Sequence, residues 1–154
     1  MTRPLAGLKV ACYYGCLLVR PPKVMAFDDP EAPTSMDRVL RAVGAETVDW
    51  PGKTECCGAN LSLGRTEVVL GLVDKLLAQA ERAGAEVIAV ACPLCQANLD
   101  VRQGDVNNRL GRRYRLPALY FTQLVGLALG LGENQLGLDK SFVDSRPTLA
   151  RWLD

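Results

Sequence analysis

Five of the six cysteines are grouped as the ligands of one inorganic centre would be: Cys16, the adjacent Cys56 and Cys57, and Cys92 with Cys95. As a pattern they read C-x39-C-C-G-x33-C-x2-C. Two neighbouring thiols followed by Gly58 are poor material for a helix and of little use to a core. They suit a metal or cluster held from two directions. Thiolates are soft ligands, and sites made only of them favour zinc, copper(I) or iron–sulfur clusters. The count is the puzzle. Tetrahedral zinc takes four ligands and an ordinary cubane cluster takes four cysteines. Either one thiol is a bystander or the centre uses all five.

The chain has no histidine, which excludes His-dependent triads, Cys-His proteolysis and zinc sites with histidine ligands. Two other uses of the thiols stay open. Cys92-Pro93-Leu94-Cys95 fits a thioredoxin-like redox dithiol, and six cysteines are enough for disulfide stapling in an oxidising compartment. Cys12 lies in the middle of an apolar run and is expected to fill the core.

These groups have to be positioned by the elements between them. At 154 residues and 16.7 kDa, with 49% hydrophobic residues, the chain fits one globular domain spanning residues 1–154. A net charge of +1 gives no reason to expect a nucleic-acid or anionic-membrane partner. No secretory signal is evident, because Pro4, Gly7 and Lys9 interrupt any apolar core of one. The longest apolar run, Leu116 to Leu131, is broken by Pro117, Thr122, Gln123, Gly126 and Gly130, and is short for a membrane span. The expected location is cytoplasmic, where clustered thiols stay reduced.

Leu8 to Tyr14 reads as a buried strand ending at Gly15, and Arg20 to Pro33, with four prolines, as a loop. A helix is predicted from Thr34 or Ser35, where Thr34-x-x-Asp37 resembles a capping box; it carries Met36, Val39, Leu40 and Val43 and stops at Gly44. Ala45 to Trp50 is a second short strand. The clearest helix has Val68, Leu72, Leu76 and Ala80 in one row and Val69, Val73 and Leu77 in the next, and ends at Gly84. Ala85 to Ala91 is a near-continuous apolar run, as in a strand covered on both faces. A helix from about Leu94, a strand over Ala118 to Phe121, a helix through Leu124, Leu127, Ala128 and Leu131, and a short helix near Thr148 to Leu153 complete the pattern. Alternating strands and helices predict an α/β fold: an open parallel sheet of about four strands flanked by helices. The cysteines then fall on the loops after strands one, two and three. In such a sheet those loops lie along one edge, where ligands bind.

Around the thiols the sequence becomes recognisable. Ala11 to Pro22 (ACYYGCLLVRPP), Phe27 to Pro30, Cys56-Cys57-Gly58 and Cys92-Pro93-Leu94-Cys95 together resemble the cysteine-rich CCG domain, as in the B subunits of heterodisulfide reductases and their bacterial relatives. The resemblance runs from about residue 7 to residue 131. Such proteins usually carry two CCG domains in tandem, and this chain is similar to the second copy.

The resemblance implies a noncubane 4Fe–4S cluster held by Cys16, Cys56, Cys57, Cys92 and Cys95, with zinc as the alternative in scaffold-type relatives. It further implies an oxidoreductase that cleaves or forms a thiol disulfide, small or protein-bound, in two one-electron steps. Electrons would arrive from ferredoxin-like and flavoprotein subunits. Relatives in methane-forming archaea often have histidine after the first ligand, where this chain has Leu17. Tyr13, Tyr14 and Arg20 flank the Cys16 loop and are candidates to line a substrate cleft, with packing and a solvated surface as their other readings. The run Arg109, Arg112, Arg113 and Arg115 reads as solvated surface, or more sharply as a docking patch for an acidic electron-transfer partner. No G-x-G-x-x-G or P-loop pattern is present, so no nucleotide site is expected.

Overall fold

The computed structural model describes residues 3–153, so the first two residues and the last of the expected domain lie outside it. Four parallel strands, β1 (Lys9–Tyr13), β2 (Glu46–Thr47), β3 (Val87–Val90) and β4 (Ala118–Tyr120), form an open sheet in the order β2-β1-β3-β4. The helices are α1 (Pro22–Met25), α2 (Ser35–Ala42), α3 (Thr66–Arg82), α4 (Pro93–Leu110), α5 (Phe121–Ala128), α6 (Glu133–Leu136) and α7 (Arg146–Leu153). Short 3-10 turns occupy Pro51–Thr54, Ala59–Leu61 and Leu138–Lys140.

Strand alternation sorts the core into two layers. Val10, Cys12 and Tyr14 face a cluster with Met36 and Leu40 of α2, Leu124 and Leu127 of α5, and Leu149 and Trp152 of α7. Ala11 and Tyr13 face the opposite cluster, built on Val69, Val73, Leu76 and Leu77 of α3 and Leu99 and Val106 of α4. All four residues of β3 are fully buried, as its unbroken apolar run requires of a strand covered on both faces. Cys12 is fully buried in the α2/α5 layer, as expected.

Several local expectations are corrected. The Arg20–Pro33 loop contains one helical turn, α1. The second strand pairs over only two residues, Glu46 and Thr47. In α3 the expected row Val69, Val73 and Leu77 is buried, as are Leu76 and Ala80 of the other row, but Val68 is exposed, Leu72 is half-buried, and Leu70, outside both rows, is buried. Leu131 lies beyond the end of α5 and is exposed, and α6 is a helix the residue pattern does not announce.

The capping box at Thr34 does not form. Thr34 makes no side-chain cap, and Asp37 is drawn into the interior. The first turn of α2 is capped from outside the helix instead. The Thr34 and Ser35 N–H groups donate to Asp28 Oδ2 at 2.8 and 2.7 Å. Those of Met36 and Asp37 donate to the Tyr14 hydroxyl at 2.8 and 3.1 Å.

Partial burial pushes the Asp28 carboxyl up, but the N–H groups of Ser35, Asp29 and Thr34 outweigh it and hold the group at about 2. A carboxyl depressed from an ordinary 3.8 stabilises the fold above that value and ceases to do so as pH falls through about 2. Asp28→Asn is therefore expected to cost ~0.5–1 kcal/mol at neutral pH. Thermal melts in acid should show that deficit closing as pH falls from about 4 to about 2.

The basic run is solvated, and part of it is neutralised within the chain. Arg112 makes two bonds to the Asp74 carboxylate at 2.9 and 3.1 Å, and Arg109 pairs with Glu67. Among the described residues, no helix is long and apolar enough to cross a membrane.

Candidate metal centre

Cys16 follows β1, Cys56 and Cys57 follow β2, and Cys92 follows β3 as the residue capping α4, with Cys95 in that helix's first turn. All three segments leave the same edge of the sheet. Their five thiols line one cleft, together with Leu17, Ala59, Asn60 and Leu94. Cys57 and Cys95 sit at its floor, 3% and 6% exposed, whereas Cys56 is open to solvent.

Local backbone geometry makes this convergence possible. Gly58 has φ +78° and so reverses the chain directly after the vicinal pair. Its N–H then donates to Cys56 Sγ at 3.3 Å. Gly15, at φ +66°, brings the Cys16 loop so close to α4 that an added Cβ would lie 3.1 Å from Cys95 Sγ. Pro93 is the first residue of α4, where a missing N–H costs nothing, and its fixed φ starts the helix immediately after Cys92. The N–H groups of Leu94 and Cys95, in the first turn of an 18-residue helix, have no intrahelical acceptor and carry the positive end of its dipole.

The two floor sulfurs are 3.6 Å apart and share a hydrogen bond. That bond is the main reason the Cys57 thiol falls to about 6; Ala59 N–H and the Asn98 amide assist, and burial opposes. The same bond, followed by burial, pushes Cys95 far above the ordinary thiol range. The pair thus gives up its first proton easily and its second with difficulty, as two sites sharing one proton must. Partial burial and the nearby Cys56 raise Cys16. Burial, reinforced by Asp37, raises Cys12, which stays an inert thiol in the opposite layer.

The suggested cleft-lining residues are placed elsewhere. Successive strand residues point to opposite faces, so Tyr13 and Tyr14 cannot share one cleft. Tyr13 is buried behind the thiols, its hydroxyl donating to Glu55 O at 2.7 Å. Tyr14 faces α2 and donates to Asp37 Oδ2 at 2.7 Å. Arg20 is a surface residue paired with Glu31.

Residues that spacing does not single out do touch the site. Asn98, almost buried one turn after Cys95, donates its amide to Cys57 O at 2.8 Å and accepts from Ser62 Oγ at 3.1 Å. A polar residue at i+3 from a candidate ligand on the same helix face is the available clue.

Among the described residues, no three Cys, Asp or Glu side chains converge closely enough to hold one metal ion. The five thiols line one cleft, and two of them, Cys57 and Cys95, have their sulfurs 3.6 Å apart. A donor set made only of thiols suits a soft metal ion or an iron–sulfur cluster.

Residues 10–100 match the CCG cysteine-rich domain. The chain belongs to the CCG cysteine-rich domain family. It is 38% identical over 153 residues to the B subunit of the ferredoxin:CoB-CoM heterodisulfide reductase of Methanosarcina mazei, covering 98% of this chain and 51% of that protein. It is also 34% identical over 143 residues to the 8-methylmenaquinol:fumarate reductase membrane anchor subunit of Wolinella succinogenes, covering 93% of this chain and 50% of the relative. The chain therefore spans about half the length of the curated relatives it matches. The residues matched to the CCG domain run from β1 through the first turns of α4 and include all five cleft thiols.

Proposed function

We propose that this CCG domain is the iron–sulfur subunit of a heterodisulfide reductase-like complex. It would bind a noncubane 4Fe–4S cluster through Cys16, Cys56, Cys57, Cys92 and Cys95 and act on a thiol disulfide. One observation carries the reading: five thiols from three separate loops line a single cleft, on a chain whose relatives include heterodisulfide reductase B subunits. The domain corresponds to one of two CCG copies. Its proposed partners are ferredoxin-like and flavoprotein subunits in the cytoplasm, and its substrate is a small or protein-bound disulfide.

When bound, the cluster supplies one-electron chemistry and an iron that a substrate sulfur can approach. The chain's own residues do the rest. Cys57 and Cys95 offer the floor ligands, and the proton they share leaves when thiolates are needed. Gly58 N–H donates to Cys56 Sγ, a bond of the kind that tunes the potential of cysteine-ligated iron. Asn98 fixes the Cys57 carbonyl and with it the turn of the vicinal pair. Leu17 and Leu94, each more than half exposed, form apolar rims that limit water around the thiols.

Anaerobic reconstitution with iron and sulfide tests the reading. About four iron and four labile sulfide per chain are expected, with a brown chromophore. Colourless protein carrying about one zinc and no sulfide would point to the scaffold reading.

A further inference from the structure

Two of the three segments that carry the thiols are joined by a closed ring of bonds on the side of β1 away from the cleft floor. Lys53 belongs to the 3-10 turn just before Glu55-Cys56-Cys57. Its carbonyl accepts the Tyr14 N–H at 2.8 Å and the Gly15 N–H at 3.0 Å, the last two backbone donors before Cys16. Its ammonium donates to Asp37 Oδ1 at 2.9 Å and to Pro33 O at 3.4 Å. Asp37 Oδ2 accepts the Tyr14 hydroxyl at 2.7 Å, and that hydroxyl also caps α2. Tyr14 and Lys53 are thus tied twice, once through the backbone and once through the side chains, with the Asp37 carboxylate as the shared node.

Asp37 is 1% exposed, and the Lys53 side chain 16%. A buried ion pair is poor at adding stability, because desolvation consumes most of the Coulombic gain. What such a pair can do is fix one register between elements that would otherwise slide. β2 pairs with β1 over only two residues, so the sheet by itself holds the two loops weakly.

We propose that Asp37, Lys53 and Tyr14 form a clamp that sets the distance between the Cys16 loop and the Cys56-Cys57 loop. They are positioning residues for the sulfur site and not ligands of it. Cys57 and Cys95, which join the vicinal pair to α4, lie outside the ring and serve as an internal control. The inference takes the site's location from the function proposed above, but its test does not depend on iron.

The metal-free chain is treated with diamide, which takes two electrons and two protons from a thiol pair as the disulfide forms, and the bridges are mapped by peptide mass spectrometry. Cys16 and Cys56 line the same cleft, and Cys57 and Cys95 are 3.6 Å apart, so both bridges should form in the parent chain. Lys53→Met is expected to slow the Cys16–Cys56 bridge at least about fivefold relative to the Cys57–Cys95 bridge. Lys53→Arg should restore the ratio, and Asp37→Asn, a milder change, should give a partial effect of the same sign. In the reconstituted protein, Lys53→Met should alter the electron paramagnetic resonance spectrum and hasten iron loss to a chelator. Equal slowing of both bridges, meaning a merely loosened fold, or an unchanged ratio, overturns the clamp. Selective slowing in Lys53→Met, with a parent chain that binds no iron, keeps the clamp and sinks the cluster.

Discussion

Cys57→Ser is expected to abolish stable binding of iron and labile sulfide, taking the content from about four iron per chain to below about one. Cys57 is the most buried thiol of the cleft and shares its proton with Cys95. A serine oxygen in its place is a harder donor with a far higher pKa, and would remain protonated where a thiolate is needed. The same loss, in graded form, is expected for serine at Cys16, Cys56, Cys92 and Cys95. Cys12→Ala is the control. It empties a fully buried position in the opposite layer, so it should cost about 1 kcal/mol of stability and leave the iron content unchanged. Colorimetric iron and sulfide assays beside thermal melts decide the matter. Equal iron loss in the Cys12 and Cys57 variants would remove the assignment of the five ligands.

The second large effect is expected at Gly58. An alanine there must hold φ near +78°, which costs about 1–2 kcal/mol for a residue with a Cβ. The new Cβ would also lie 2.9 Å from Leu72 Cδ1 and 3.4 Å from Val69 Cγ2. Leu72 Cδ1 is the end of a rotatable side chain on a helix face that is not fully buried, so that clash can be relieved by a rotamer change. Backbone strain therefore outweighs crowding. Gly58→Ala should destabilise by about 2 kcal/mol in denaturant titrations, and adding Leu72→Ala should restore little of it. Full recovery in the double variant would show that crowding outweighs strain instead. The same substitution should weaken iron retention, because the Gly58 N–H that donates to Cys56 Sγ moves with the turn.

Some features of this fold are legible in the residue order and others are not, for physical reasons. β3 can be read because a strand buried on both faces must be apolar at every position, and Val87 to Val90 are. The existence of α2 can be read because Met36 and Leu40 recur at helical spacing, but its cap cannot. Thr34 and Asp37 have the right types and separation, yet the long-range bonds to Tyr14 and Lys53 win over a local bond. Strand two is shorter than its residues suggest for a related reason: its length depends on how far β1 runs beside it, and the two pair only at Lys9–Glu46 and Val10–Thr47. α6 escapes notice because four residues do not establish a period.

Which atoms are available for chemistry here follows from residue identity and order alone: five thiols, no imidazole, and a succession of strands and loops that delivers those thiols to one edge. Ligand type and loop order are local properties, written residue by residue. It takes the folded arrangement to send Tyr13 and Tyr14 into opposite layers, so that neither lines the cleft. The folded arrangement also makes Asn98 brace the vicinal pair, and makes a buried Asp37 tie Lys53 to Tyr14. Those facts depend on contacts between residues from 16 to 41 positions apart. Their energy comes from burial and hydrogen-bond geometry, neither of which exists until the sheet has formed.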